Sequence, residues 1–194
     1  MEDLRDIIPG LRDAVEREEF HRNTAFLGVT ELICGVEVKP LTLAHLCRLQ
    51  CVGSPFLCGG VPTLADVDAF LWAVSPEYNP KSRVQRFFFE CRLWMTYDAA
   101  IKGIQGYLDE AFLDGPSGGS AGYSPSYWSG FASIVGALAS EFHWSEQQIM
   151  DMPLKRVCQY LRIAQKRNNP KASFSNRISF KVREEWMDKS NSKN

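Results

Sequence analysis

Three groups of residues have the side-chain types that chemistry requires. The run Gly118-Gly119-Ser120-Ala121-Gly122 matches the G-x-S-x-G pattern of serine hydrolases. That chemistry needs the serine on a sharp strand-to-helix turn, with an acid and a histidine supplied from later in the chain. Ser120 instead lies in a Gly/Ser-rich run with no strand pattern before it, and His143 is the one later histidine. The second group is His45, Cys47, Cys51 and Cys58. Cys47 and Cys51 are four apart and share a helix face, whereas His45, two from Cys47, points elsewhere. No C-x-x-C pair occurs, so zinc-finger spacing is absent. The expectation is core thiols, inert as small hydrophobes, and one surface or amphipathic histidine. The third group is two carboxylate pairs, Asp66/Asp68 and Asp109/Glu110. Neighbours one or two apart on a helix do not face each other, so these read as solvated helix residues, and Asp66 also suits the positive end of its helix. No phosphate-binding loop or dinucleotide fingerprint appears. The sequence predicts no catalytic site, no cofactor and no metal, and a protein that acts by binding another macromolecule.

Charge is the next signal. The net charge of −1 selects no class of partner, but its distribution is uneven. Residues 1–31 carry eight acids and four bases, whereas residues 152–182 contain no acid. Lys155, Arg156, Arg162, Lys166, Arg167, Lys171, Arg177, Lys181 and Arg183 precede Glu184, with Tyr160, Phe174 and Phe180 among them. Such a segment can neutralise phosphates and stack on bases. It can equally dock on an acidic protein, or fold back on the acidic N-terminal part of its own chain. Trp144 and Trp186, with Arg156, Arg162 and Lys166, are the candidate partner contacts, because aromatic residues and arginine are enriched where interfaces are strongest.

The elements that must position these residues read as mainly helical. A chain with 45% hydrophobic and 23% charged residues has the balance of an ordinary globular protein, and 194 residues bury a core without staples. The opening Met1–Asp6 is acidic where a secretion signal would be basic, so no signal peptide is expected. No run reaches the ~18 apolar residues of a membrane span. The six cysteines do not form the dense framework of a small secreted domain, and a reducing cytoplasm is the expected compartment.

A charged helix is expected over Leu11–Asn23. The β-branched residues of 29–40, with Gly35 at their centre, predict one small β-hairpin. Thr42 and Thr63 are expected to cap helices Leu43–Cys51 and Leu64–Val74. Recurrence at three and four residues from Val84 to Ala111 predicts one long central helix over Lys81–Leu113. Phe88 and Phe89 lie off its stripe. Residues 114–126 have the composition of a flexible linker. Helix Pro125–Phe142 is expected next, then a capping box at Ser145–Gln148, then helix Pro153–Arg167 with Pro153 at its first position. The division is an N-terminal helical unit with the hairpin (1–113), the linker (114–126), a C-terminal helical unit (127–168) and a basic polar tail (169–194).

Two passages resemble a known family. The run Gly35–Leu46, followed by Ser54-Pro55-Phe56-Leu57-Cys58-Gly59-Gly60 and Asp68–Pro76, resembles small proteins encoded near the tail genes of tailed bacteriophages. Phe142-His143-Trp144-Ser145-Glu146-Gln147-Gln148-Ile149-Met150-Asp151-Met152-Pro153-Leu154 looks like the "aromatic-x-Trp, short helix, Met-Pro-Leu" passage of their tail assembly chaperones. Together these stretches cover about a fifth of the chain. The resemblance implies a non-enzymatic protein of the host cell cytoplasm. Its partners would be the long helical tape measure protein and, with it, the tail tube protein. It would shield apolar helix stripes during tail assembly and be absent from the finished particle. The competing expectations are a permanent tail, neck or baseplate component, and a nucleic-acid-binding phage protein acting through residues 155–183. The latter is the weaker, because charge runs are ambiguous.

Overall fold

The computed structural model describes residues 16, 19, 20, 22–92, 97–112 and 129–171. These form a mainly α-helical protein with one two-stranded antiparallel hairpin. The hairpin joins β1 (Glu31–Ile33) to β2 (Val36–Val38), with Glu31 opposite Val38 and Ile33 opposite Val36. Its turn residues, Cys34 and Gly35, both have positive φ, 50° and 84°. A two-residue hairpin loop of this kind matches the twist of the flanking strands. The alternation of a strand then places Ile33 and Val38 in the core and leaves Leu32 outside.

Helices α1 (Leu43–Cys51), α2 (Pro55–Cys58) and α3 (Leu64–Val74) follow. The Thr42 hydroxyl accepts from the His45 N–H, and the Thr63 hydroxyl accepts from the Asp66 N–H. Each cap satisfies one backbone donor that the first turn leaves open. Helix α3 is the centre of the molecule. Val67, Phe70, Leu71, Trp72, Ala73 and Val74 are all buried. The Val74 carbonyl also accepts from the Lys39 N–H at 2.9 Å, which fastens the hairpin to the end of α3.

The region expected as one long helix contains two described helices, α4 (Arg83–Arg92) and α5 (Tyr97–Ala111), with 93–96 outside the described residues. The apolar stripe divides the same way. On α5 it is buried, through Ile104, Leu108 and Ala111, but on α4 Val84 and Phe87 are exposed and Phe89 is buried. The reason lies in the spacing. From Val84 to Ala111 the apolar residues recur at an average below 3.6, so the stripe winds around a straight helix and cannot all face one core. The residues that the stripe alone marks as outward supply the real anchor: Phe89 packs on Trp72 at 5.1 Å between ring centroids. The central helix is α3.

Gly103 of α5 lies under the hairpin. A Cβ built there would stand 2.7 Å from the Ile33 Cγ2, so the close approach depends on glycine.

Helices α6 (Gly130–Phe142), α7 (Glu146–Met150) and α8 (Leu154–Asn168) complete the described chain. The first begins later than Pro125, because the Ser129 hydroxyl caps it by accepting from the Ala132 N–H at 3.1 Å. The Ser145–Gln148 capping box is formed as expected. Pro153 is the cap residue of α8, one place before its first helical residue. Leu138, Ile149, Leu154 and Val157 from this half join Val38, Leu43, Phe70 and Ile104 in one hydrophobic core. The 114–126 stretch and all but the first residues of the 169–194 tail lie outside the described residues.

Candidate functional site

The two halves meet at a short bridge. Thr42 pairs with Pro153 in an isolated antiparallel β-bridge, and the Leu154 N–H donates to the Leu41 carbonyl at 2.7 Å. Pro40, Leu41, Pro153 and Leu154 from this junction line a cleft of about 490 Å³. Tyr107, Glu110 and Ala111 of α5, Glu31, Lys155 and residues of the segment 20–29 complete the lining. The volume is in the range of concave binding sites, and the lining is mostly apolar with a few polar groups, as such sites require.

The segment 20–29 is a strap. Residues 22–24 are helical and 25–27 form a turn, closed by Ala25, Phe26 and Leu27 N–H donors to Arg22, Asn23 and Thr24 carbonyls. Arg156 of α8 holds the strap down. Its Nε donates to the Ala25 carbonyl at 2.9 Å and its Nη2 to the Phe26 carbonyl at 2.6 Å, while the guanidinium lies over the Phe26 ring at 5.2 Å. The planar fork of arginine suits two such acceptors at once. Gln159, one turn on, donates to the Arg22 carbonyl at 3.0 Å. The strap carries Phe20, Leu27 and Val29 on the cleft, and these side chains are 64%, 68% and 63% exposed.

Four ionisable groups line the same cleft. Lys155 donates to Glu110 Oε1 at 2.5 Å in a half-buried ion pair. Burial pushes the Glu31 carboxyl above the usual carboxylate range; Lys155 pulls it back and Glu110 adds to the rise. The buried Tyr107 hydroxyl donates to the Lys39 carbonyl at 2.6 Å, and desolvation raises its pKa.

The sequence-predicted contact residues fall as follows. Trp144 is half-buried in an aromatic cluster: it stacks on Phe142 at 4.7 Å and meets Tyr160 edge-on at 4.7 Å. His143 between them takes a left-handed conformation, φ 57°, which ends α6 and folds Trp144 back over Phe142. Arg167 covers the Phe142 ring at 5.6 Å and pairs with Glu141 at 2.8 Å. Arg156 is the strap residue, Arg162 is half-buried and Lys166 is exposed on the same helix. Trp186 lies outside the described residues. Lys155, Arg156 and Arg167, all from the basic stretch, are therefore engaged within the chain. The cleft and the strap were not visible in the sequence, because they join segments more than about a hundred residues apart, and local patterns carry no such information.

The cysteine and histidine expectations need correction. Cys34, Cys51 and Cys58 are exposed and Cys47 is half-buried, so of the described cysteines with placed side chains only Cys158 is a core thiol. His45 is buried, not a surface residue. Its Nδ1 accepts from the Thr42 N–H at 3.3 Å, the place that Glu or Gln takes in the common capping box. Burial, with the nearby charges of Arg48 and Lys39, lowers its pKa to about 4. Among the described residues no group of three or more His, Cys, Asp or Glu is placed to hold a metal ion, and no helix is long and apolar enough to cross a membrane.

No family model matches the chain, and neither the curated proteins nor the solved structures contain a match to it.

Proposed function

We propose that the chain is a non-enzymatic assembly factor of a tailed phage, which holds an apolar, helix-forming segment of the tape measure protein in the host cytoplasm while the tail is built. The observation that carries this reading is the junction behind the cleft. Gly35–Leu46, which resembles small proteins encoded near phage tail genes, and Phe142–Leu154, which resembles a passage of tail assembly chaperones, come together through the Thr42–Pro153 bridge, and both contribute lining to the cleft. A shared role for both passages then has a physical basis, since each supplies one side of the same apolar surface. An amphipathic helix inserts apolar side chains at i, i+3 and i+4 into such a groove. The exposed Phe20, Leu27 and Val29 give the client side chains something to cover.

The test is affinity purification of the tagged chain from infected cells, with mass spectrometry of the captured proteins and of purified virions. The expected result is enrichment of a long helical tail protein, loss of that enrichment in Leu27→Asp and Val29→Asp, and absence of the chain from virions. A fixed copy number in virions overturns the chaperone reading in favour of a structural tail component. Capture that survives both cleft variants removes the cleft from the reading.

A further inference from the structure

Helix α4 gives the buried core few residues for its length. From Arg83 to Glu90 its one buried residue is Phe89. Val84, Phe87 and Phe88 stand on the opposite side at 66%, 61% and 61% exposure, at the i, i+3, i+4 spacing of a helix that packs on another helix. Arg83 and Glu90 are two turns apart on one flank of this face, next to Phe87. Exposed Lys81 and Arg83 charge the N-terminal end. Glu90 charges the C-terminal end, and Asp68 of α3 is close enough for the Glu90 charge to raise its carboxyl pKa further above what burial does.

We propose that this face is a homodimer interface, in which α4 packs antiparallel against α4 of a second copy. A two-fold contact uses the same patch on both subunits, so the patch must complement itself. This one does. In the antiparallel arrangement like flank faces like flank, so Phe87 meets Phe87 of the second copy near the two-fold axis. Arg83 then lies towards Glu90 of the second copy, and the reverse holds on the other side of the axis. Glu90 accepts from Arg86 of its own helix through Oε1, at 2.8 Å, and its second oxygen is available as an acceptor. The two helix dipoles also oppose each other. A parallel two-fold arrangement would set opposite flanks together and leave Arg83 two turns from the level of Glu90 of the second copy. A foreign partner would need to supply both charges in the right order, whereas a second copy brings them by symmetry. The contact is small. A ten-residue helix is about 15 Å long, short of what a standard interface of ~1,200 Å² needs, so the dimer is weak, with a dissociation constant on the order of tens of micromolar.

The proposal is independent of the cleft and its client. It is tested by sedimentation equilibrium of the full chain from about 1 μM to about 1 mM, with circular dichroism to verify that each variant is folded. The wild type should pass from monomer to dimer. Phe87→Ser should weaken the dimer at least about tenfold, because it removes the aromatic contact at the centre. Arg83→Glu should weaken it about threefold to tenfold by setting like charges together, and Arg83→Glu with Glu90→Arg should restore most of the loss. A monomer over the whole range overturns the proposal and leaves the face to a different protein. A dimer indifferent to Phe87→Ser, or a charge swap that fails to restore association, also overturns it and places the contact elsewhere.

Discussion

Replacing Arg156 by lysine keeps the charge and removes the fork that holds the strap. The arginine makes two hydrogen bonds, to the Ala25 and Phe26 carbonyls, and lies over the Phe26 ring. Hydrogen bonds to a charged group contribute about 1.5–3 kcal/mol each, and a lysine can keep one of them. The site is half-exposed, so water replaces part of what is lost. A net loss of about 2 kcal/mol follows, which raises the open population of the strap roughly 30-fold. The effect is local, because the strap contributes Ala25 to the buried set while the main core lies elsewhere. Hydrogen exchange read by mass spectrometry on a peptide covering residues 22–29 is the assay. The Ala25, Phe26 and Leu27 amides, which close the strap turn, should exchange faster by about that factor, with α3 and α5 amides unchanged. Unchanged exchange in the strap would refute the assignment of Arg156 as its clamp. Equal acceleration in α3 would show that the strap and core open together.

Three further outcomes follow from the packing. His45 is neutral in the folded chain, with a pKa of about 4 against 6.5 in the unfolded chain, so the unfolded state binds the extra proton. Stability should be level above about pH 6.5 and fall by about 3 kcal/mol as the pH drops to 4, a slope that His45→Gln flattens in urea titrations while preserving the cap. Among the described residues the buried Ser54 hydroxyl has no hydrogen-bond partner, so Ser54→Ala should raise the melting temperature by a few degrees; a loss of stability there would show a hidden partner. Gly103→Ala forces a methyl to 2.7 Å from Ile33. Overpacking of about 1–3 kcal/mol outweighs the helix gain of about 1 kcal/mol, and calorimetry should show a lower melting temperature, not a higher one.

What the sequence made legible is local. The Thr42, Thr63 and Ser145 caps were readable because a hydroxyl and its backbone donor lie within three residues of each other. The hairpin was readable because Gly35 falls between two β-branched runs. The mainly helical class followed from apolar recurrence. The phase of that recurrence was misleading on α4, where spacing below a helical turn makes a stripe that no single core can bury. The role of His45 left a trace that composition hides: Thr-x-x-His has the form of a capping box with a ring nitrogen in place of a carboxyl oxygen. Arg156 was marked for its type, as a partner contact, whereas its acceptors are the backbone carbonyls of Ala25 and Phe26. Carbonyls are common to every residue, so no residue type announces them.

The Thr42–Pro153 bridge has a consequence for synthesis. Leu41 has its hydrogen-bond partner in Leu154, more than a hundred residues later. A chain emerging from the ribosome at about 5–20 residues per second therefore makes α1 and α3 well before α8 exists to cover them. During those seconds the apolar faces of Leu43, Leu49 and Phe70 have only part of their covering. The hairpin, α1 and α3 can dock early through local contacts, but the last wall waits for the synthesis of α8, and closing so long a loop slows folding as well. The nascent chain thus has an aggregation hazard of its own, greatest when many copies are made at once and lessened by a lower expression level.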